Sequence, residues 1–227
     1  MTTLKLSGVR AFVFDAYGTL FDVNNAAETI KDDLGEQWQA ISNLWRSKQL
    51  QYTWLRSLAG NYVDFWQVTG EALTYALRCH SMEKQGLHDR LMNLYWTLRP
   101  YPEVMQSLGE LKARGIRCAI LSNGSPKMLS AAVDNAGIAT LLDAVISVDS
   151  VGVFKPHPSV YRLAPARLGI KVSEICFVSA NAWDAYSAKA FGFHVLWCNR
   201  AKQPPEIIPA TPDAEIESLA GLPEFLA

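Results

Sequence analysis

Apolar positions along the chain follow two patterns. Short continuous runs occur at Val9–Phe14 (broken only by Arg10), Arg117–Leu121, Ala144–Val148, Ile175–Val178 and His194–Trp197. Runs of this length and density predict buried strands. Between the later runs, apolar residues recur at helical spacing, predicting helices over about Pro102–Arg114, Pro126–Ala136, Ser159–Leu168 and up to Phe191. The stretch from Ala26 to Leu98 differs, because only helical stripes occur there. Ile41, Leu44 and Trp45 begin one, Tyr62, Phe65, Trp66, Thr69, Leu73 and Leu77 form a second, and Leu87, Leu91, Leu94, Tyr95 and Leu98 a third. Residues after Ala201 are proline-rich and close with a weak strand and a short helix. Strand–helix alternation predicts an α/β fold, a doubly wound parallel-sheet (Rossmann-like) core with helices on both faces. The all-helical stretch reads as an insertion after the first strand. The expected division is a core of residues 1–22 and 99–227 and a helical cap of residues 23–98. Trp38, Trp45, Trp54, Trp66 and Trp96 fall within that insertion; most of them are expected to form its interior, while the sequence leaves open whether Trp54 and Trp66 are buried or exposed.

Composition narrows the partners. With 49% hydrophobic and 19% charged residues, the 227-residue chain fits an ordinary globular protein. A net charge of −1 offers no basic footprint, so no nucleic acid or anionic membrane is expected as partner. No apolar run reaches bilayer-spanning length and no secretory signal precedes the first strand, so a cytoplasmic location is expected. Cys79, Cys118, Cys176 and Cys198 form no C-x-x-C pair. Cys118 and Cys176 lie inside strand-like runs and read as small core residues in a reducing compartment. The four histidines show no metal-ligand spacing.

Polar clusters follow four of the predicted strands. They are Asp15 with Tyr17 and Thr19, Ser122 with Asn123, Lys155, and Ser179 with Asn181 and Asp184. Parallel strands bring these ends to one sheet edge, where open α/β sheets bind ligands. Each cluster has an ordinary explanation as a turn residue, a helix cap, a solvated charge or a first-turn acid. Their joint occurrence at successive strand ends favours a site in which two acids, a lysine and small hydrogen-bonding groups converge.

The stretch Phe14-Asp15-Ala16-Tyr17-Gly18-Thr19-Leu20 resembles the nucleophile motif of the haloacid dehalogenase superfamily. Leu121-Ser122-Asn123-Gly124, Lys155-Pro156 and Ser179-Ala180-Asn181-Ala182-Trp183-Asp184-Ala185 resemble its other three motifs, in order. Most members are magnesium-dependent phosphatases with a second Asp two residues after the nucleophile. That position is Tyr17 here, and neutral Ser179 and Asn181 replace acids of the fourth motif. A halide is a weak base that leaves without a proton, so losing the general acid suits halide departure. Neutral groups are also poor ligands for a divalent cation, so neither a metal nor another cofactor is expected. The segment Leu44–Arg56, with Arg46, resembles the cap of the L-2-haloacid dehalogenase branch, with Ser47 and Ala180 as departures.

The resemblance implies a hydrolytic dehalogenase acting on short L-2-haloacids, with haloacetates as further candidate substrates, and a homodimer. It implies that Asp15 is the nucleophile, oriented by Thr19 and kept ionised by Lys155. Arg46 and Asn123 would stabilise the departing halide, with Phe65 lining that side. Ser122 and backbone amides after Asp15, at Ala16 and Tyr17, would bind the substrate carboxylate. Leu50 and Trp183 would wall the substrate side chain. Asp184, helped by Ser179, Asn181 and Lys155, would activate water. The alternatives are a magnesium-dependent phosphatase and a non-catalytic small-acid binder on the same fold.

Overall fold

A computed structural model of the chain describes residues 4–23 and 31–227. Residues 24–30, where the predicted insertion begins, lie outside them. Six strands form one sheet: β1 (Ala11–Phe14), β2 (Arg117–Ser122), β3 (Ala144–Ser147), β4 (Ile175–Ser179), β5 (His194–Cys198) and β6 (Ala214–Ile216). Their order is β3-β2-β1-β4-β5-β6, and every neighbouring pair is parallel. β1 is central, and its four residues are all buried. Helices on both faces dictate this: a strand covered on both sides reads as a continuous apolar run. Chain order reverses across β1, between β2 and β4, so a crevice opens at the carboxyl ends of these strands.

The helical stretch packs around its own cluster of Leu34, Ile41, Trp45, Leu73, Leu77 and Leu91. Ile41 and Leu73 are fully buried, each worth about 1.5–3 kcal/mol of transfer free energy. Its two long helices, Trp38–Ala59 and Phe65–Cys79, pack against each other. Asp64 starts the second, accepting from the Gln67 amide at 2.8 Å, which leaves Tyr62 outside it. Phe65 and Val68 turn toward the main core and tie the layers together.

Some expectations need correction. Of the five tryptophans, only Trp45 is buried. Trp54 meets Trp183 edge-to-face at 5.5 Å, and Trp66 lies 4.4 Å from Trp96. These large amphipathic rings line the boundary between layers rather than one interior. The helix expected over Ser159–Leu168 is two pieces, Pro158–Tyr161 and Leu163–Leu168. Pro165 explains the break, since it lacks an N–H for the Tyr161 carbonyl and crowds it. The third stripe is a helix over Leu87–Asn93 that tightens into a 3-10 turn at Leu94–Trp96. Cys118, Cys176 and Cys198 are buried, whereas Cys79 is exposed. Among the described residues, no helix is long and apolar enough to cross a membrane.

Candidate active site

Asp15 is the first residue beyond β1. Its amide donates to the Val178 carbonyl of β4 at 2.9 Å, holding the strand end in line. The turn that follows converges on one acceptor: the Ala16 carbonyl takes hydrogen bonds from Thr19, Leu20 and Phe21 at 3.2, 2.9 and 3.0 Å. Gly18 sits at φ +87°, a left-handed conformation that side chains disfavour, and this lets the turn close. The result holds the Asp15 carboxylate at the sheet edge, only 7% exposed.

The strand-end groups meet around that carboxylate. Lys155 Nζ lies 3.1 Å from Asp15 Oδ1 and 2.8 Å from Asp184 Oδ2. Asn181 Nδ2 donates to Asp15 Oδ2 at 2.8 Å, with the Thr19 and Ser179 hydroxyls farther away at 3.4 and 3.5 Å. Ser179 also donates to Asp184 at 3.1 Å, and Thr19 Oγ1 accepts from the Ala180 amide at 2.8 Å. Lys155 is held from its backbone, its amide donating to Asn123 Oδ1 at 2.9 Å. The helix-cap explanation therefore fails for Ser122 and Asn123. Ser125 caps helix Pro126–Ala136, while Ser122 Oγ accepts from Gly124 N at 3.1 Å. Lys155 is equally far from a solvated charge, at 1% exposure.

Electrostatics follow from this burial. Desolvation disfavours the Lys155 ammonium, yet Asp15 and Asp184 outweigh it and raise its pKa. One cation serves two carboxylates, and Asp184 is the deeper. Burial raises its pKa and the Asp15 charge adds to the effect, while Lys155, Ser179 and Tyr161 supply partners. The two carboxylates are thus already bridged by an ammonium, and Asn181 turns its donor group toward Asp15. This donor set does not suit a divalent cation, which needs the same carboxylate oxygens. Among the described residues, no His, Cys, Asp and Glu cluster offers an alternative metal site.

Above this floor lies a small cavity of about 20 Å³. The core lines it with Asp15, Tyr17, Ser122, Asn123, Lys155, Asn181 and Trp183, and the helical layer with Arg46, Leu50 and Phe65. Thr19, Ser179 and Asp184 do not line it and lie behind Asp15. Ala16 does not line it either, as a fully buried residue that anchors the turn. Ser47 is exposed and away from the cavity, and Ala180 touches the site through its amide. Arg46 bonds two neutral groups, Gln49 Oε1 at 2.6 Å and Asn181 Oδ1 at 3.1 Å. Its positive charge therefore faces the cavity without a carboxylate partner among them.

Tyr17 packs between Phe65, at 6.1 Å, and Tyr95, at 5.8 Å. Burial pushes its phenol pKa far above the ordinary value, with Tyr95 and Asp15 adding, so the group stays neutral. Gly124 makes room for it: a Cβ there would stand 2.8 Å from the Tyr17 ring.

Sequence reasoning missed two residues that touch the site's charged groups. Tyr161 donates to Asp184 Oδ1 at 2.7 Å, and Gln49 holds Arg46. Tyr161 reads as a core aromatic, and only its hydroxyl signals that a buried partner is required. Gln49 carries a clearer signal. It shares the stripe Ile41, Trp45, Gln49 and Thr53, every fourth residue, which is the buried face of its helix.

The sequence matches the haloacid dehalogenase-like hydrolase family over residues 9–192. It is 45% identical over 223 residues to (S)-2-haloacid dehalogenase 4A of Burkholderia cepacia, covering 98% of this chain and 96% of that protein. It is 46% identical over 219 residues to (S)-2-haloacid dehalogenase 1 of Pseudomonas sp. strain CBS-3, covering 96% of each. The fold superposes on the L-2-haloacid dehalogenase of Xanthobacter autotrophicus with chloropropionic acid covalently bound. There the TM-score is 0.89 at 40% identity, covering 95% of this chain and 97% of that one. With its motifs in order and 96–98% of its length matched by these relatives, the chain belongs to the haloacid dehalogenase-like hydrolases, in their (S)-2-haloacid dehalogenase branch.

Proposed function

We propose that this protein converts short L-2-haloacids into D-2-hydroxy acids and halide through an ester on Asp15, and that haloacetates are also substrates. The observation that carries the reading is the opposition of two charges. Asp15, paired with Lys155 at 3.1 Å, stands on one side of the cavity. Arg46, bonded to neutral groups, lines the cavity from the helical layer, with the Asn181 amide between it and Asp15. The similarity to (S)-2-haloacid dehalogenases supports the same reading.

In the first step an Asp15 oxygen attacks C2 of the substrate from the side opposite the halogen. The C–O bond forms as the carbon–halogen bond breaks, and the halide leaves with the bonding pair, inverting C2. Lys155 places a cation 3.1 Å from the nucleophile, while Thr19 and Asn181 orient it. The guanidinium of Arg46 and the amide of Asn123 stabilise the developing halide charge. Ser122 and the turn amides at Ala16 and Tyr17 receive the substrate carboxylate, and Leu50, Phe65 and Trp183 enclose its apolar part. In the second step water attacks the Asp15 ester carbonyl. Asp184, on the buried side of Asp15, takes the water proton. Its raised pKa suits a base that must receive a proton. Ser179, Asn181 and Lys155 hold water and base together. The bond from the Asp15 carbonyl carbon to the ester oxygen then breaks, and that oxygen takes the proton from Asp184 and leaves as the hydroxy acid. The second water proton passes to solvent as the Asp15 carboxylate is restored.

Residues 23–98 act in this scheme as a cap over the core of residues 1–22 and 99–227. A cavity of about 20 Å³ has room for about one water, so the cap must open for substrate. Its polar links to the core include Arg46–Asn181 and the Ser57 hydroxyl with the Phe154 amide. The protein also pairs as a homodimer through the cap's outer groove, where Leu55 and Tyr75 are exposed beside Tyr52 and Thr74. The buried cysteines support a reducing, cytoplasmic setting.

The test is halide release from each enantiomer of 2-chloropropionate with EDTA present, with the lactate configuration determined. Release from the L-form alone, giving D-lactate, is expected. No release from either form, with p-nitrophenyl phosphate cleaved once magnesium is added, would return the chain to phosphatase chemistry. Sedimentation showing only monomer would remove the dimer.

A further inference from the structure

Gln49 is a fully buried polar side chain on an otherwise apolar helix stripe. A buried amide with open valences would cost free energy, so its partners reveal what it does. Its Oε1 accepts from Arg46 Nη1 at 2.6 Å, and its Nε2 donates to Thr69 Oγ1 at 2.7 Å and to the Tyr95 hydroxyl at 3.1 Å. The Thr69 hydroxyl donates onward to the Phe65 carbonyl at 2.6 Å, so toward Gln49 it can only accept. Trp45 Nε1 donates to the Thr69 carbonyl at 2.9 Å and ties the same turn. A guanidinium only donates. Each end of the amide therefore has one workable orientation, because a flip would set donors against donors at Arg46. The chain Phe65–Thr69–Gln49–Arg46 runs from the helix backbone to the cavity, and both of its ends line that cavity.

We propose that Gln49 is a positioning residue that fixes the Arg46 guanidinium over the departing halogen and thereby sets how strongly the enzyme favours one leaving group over another. This rests on the dehalogenase reading above. A long arginine side chain has many rotamers, and a single neutral contact at Asn181 leaves most of them open. The second contact fixes both edges of the guanidinium fork. Chloride gathers more charge per unit surface than bromide as it leaves, and is the poorer leaving group. A well-placed cation therefore helps chloride more, and a displaced one penalises chloride more.

The experiment compares the unaltered protein with Gln49→Met, Gln49→Glu, Arg46→Lys and the double variant Gln49→Met/Arg46→Lys. Steady-state kinetics are measured on L-2-chloropropionate and L-2-bromopropionate, with thermal unfolding alongside. Gln49→Met keeps the side-chain length and removes the acceptor. It should lower kcat on the chloride substrate on the order of tenfold to a hundredfold, and on the bromide several-fold less. Gln49→Glu keeps an acceptor at Arg46 but pairs the guanidinium with a carboxylate and loses the donors to Thr69 and Tyr95, so it should not recover the chloride rate. The double variant should be little worse than Arg46→Lys alone, because the two residues act as one unit.

A purely structural role would slow both substrates equally, leaving their ratio fixed while the unfolding temperature falls. That result, or full additivity in the double variant, overturns the inference. Halide release by the unaltered protein with an unchanged ratio in Gln49→Met removes this inference alone. No halide release by the unaltered protein removes the reading beneath it as well.

Discussion

The floor and the roof of the cavity are built by opposite strategies. On the floor, Asp15, Lys155, Ser179 and Asp184 are almost wholly buried and bond mainly to one another across three strand ends. On the roof, Leu50 and Phe65 are apolar and Arg46 supplies a single charge held by two neutral amides. Buried charges demand partners, so a floor group cannot change without stranding another. The roof charge is half-buried, and its neutral partners leave its field free for an anion. In the proposed scheme, bond making and ester hydrolysis need atoms held in place, which the floor provides. Leaving-group and substrate choice need a surface that can change, which the roof provides.

Substitutions that separate the two layers should show this difference. The largest effect is expected for Asp15→Asn, which removes the carboxylate proposed as the nucleophile. Under conditions that exclude deamidation, turnover should fall by at least about 10³-fold. Near-normal turnover would move the nucleophile off the floor.

Lys155→Met should come next, and it should affect stability as well as rate. Two buried carboxylates lose their cation, at a cost of about 3–5 kcal/mol measured by denaturant unfolding. The pH dependence has a defined sign. The Lys155 pKa is raised in the folded protein, so its contribution is complete below the ordinary lysine pKa of about 10.5. It is lost as pH rises through the folded value. The stability gap between the unaltered protein and Lys155→Met should therefore be flat from neutral pH up to that pH and narrow above it.

Arg46→Ala, on the roof, should lower kcat about tenfold to a hundredfold while costing only about 1 kcal/mol of stability, from the Gln49 carbonyl left without its donor. An unfolding loss as large as that of Lys155→Met would erase the distinction between layers. Tyr161→Phe should have the smallest effect. Removing a donor to Asp184 disfavours its charged form and raises its pKa further, so the acid limb of the kcat profile should move to higher pH. An unmoved limb would detach Asp184 from the rate.

The layers also differ in how far they can be read from sequence. The floor was legible because the sheet does the assembling. Once Val9–Phe14, Arg117–Leu121 and Ile175–Val178 read as parallel strands, Asp15, Ser122 and Ser179 had to share an edge. Lys155 follows β3 at a distance along a loop, and its motif rather than its spacing assigned it. The roof was legible only in part. Helical spacing gave the helix that bears Arg46 and Leu50, but not which polar groups on it would meet. Gln49 lies three residues after Arg46 and on the buried stripe, yet its partners Thr69 and Tyr95 come from elsewhere in the chain. Tyr161 was hidden for the same reason, since its hydroxyl finds Asp184 only through tertiary packing. The tryptophans misled because composition says that large rings are buried, not between which layers.

The central claim is that carbon–halogen cleavage and hydrolysis are separate steps joined by an ester on Asp15. A single turnover of L-2-chloropropionate in H₂¹⁸O, with enzyme in excess, tests it most directly. The lactate and the peptide containing Asp15 are then weighed by mass spectrometry. The product hydroxyl should carry the oxygen that Asp15 held before, so lactate should be unlabelled and Asp15 should gain one ¹⁸O. Labelled lactate with an unlabelled Asp15 would mean that water attacks the substrate carbon directly.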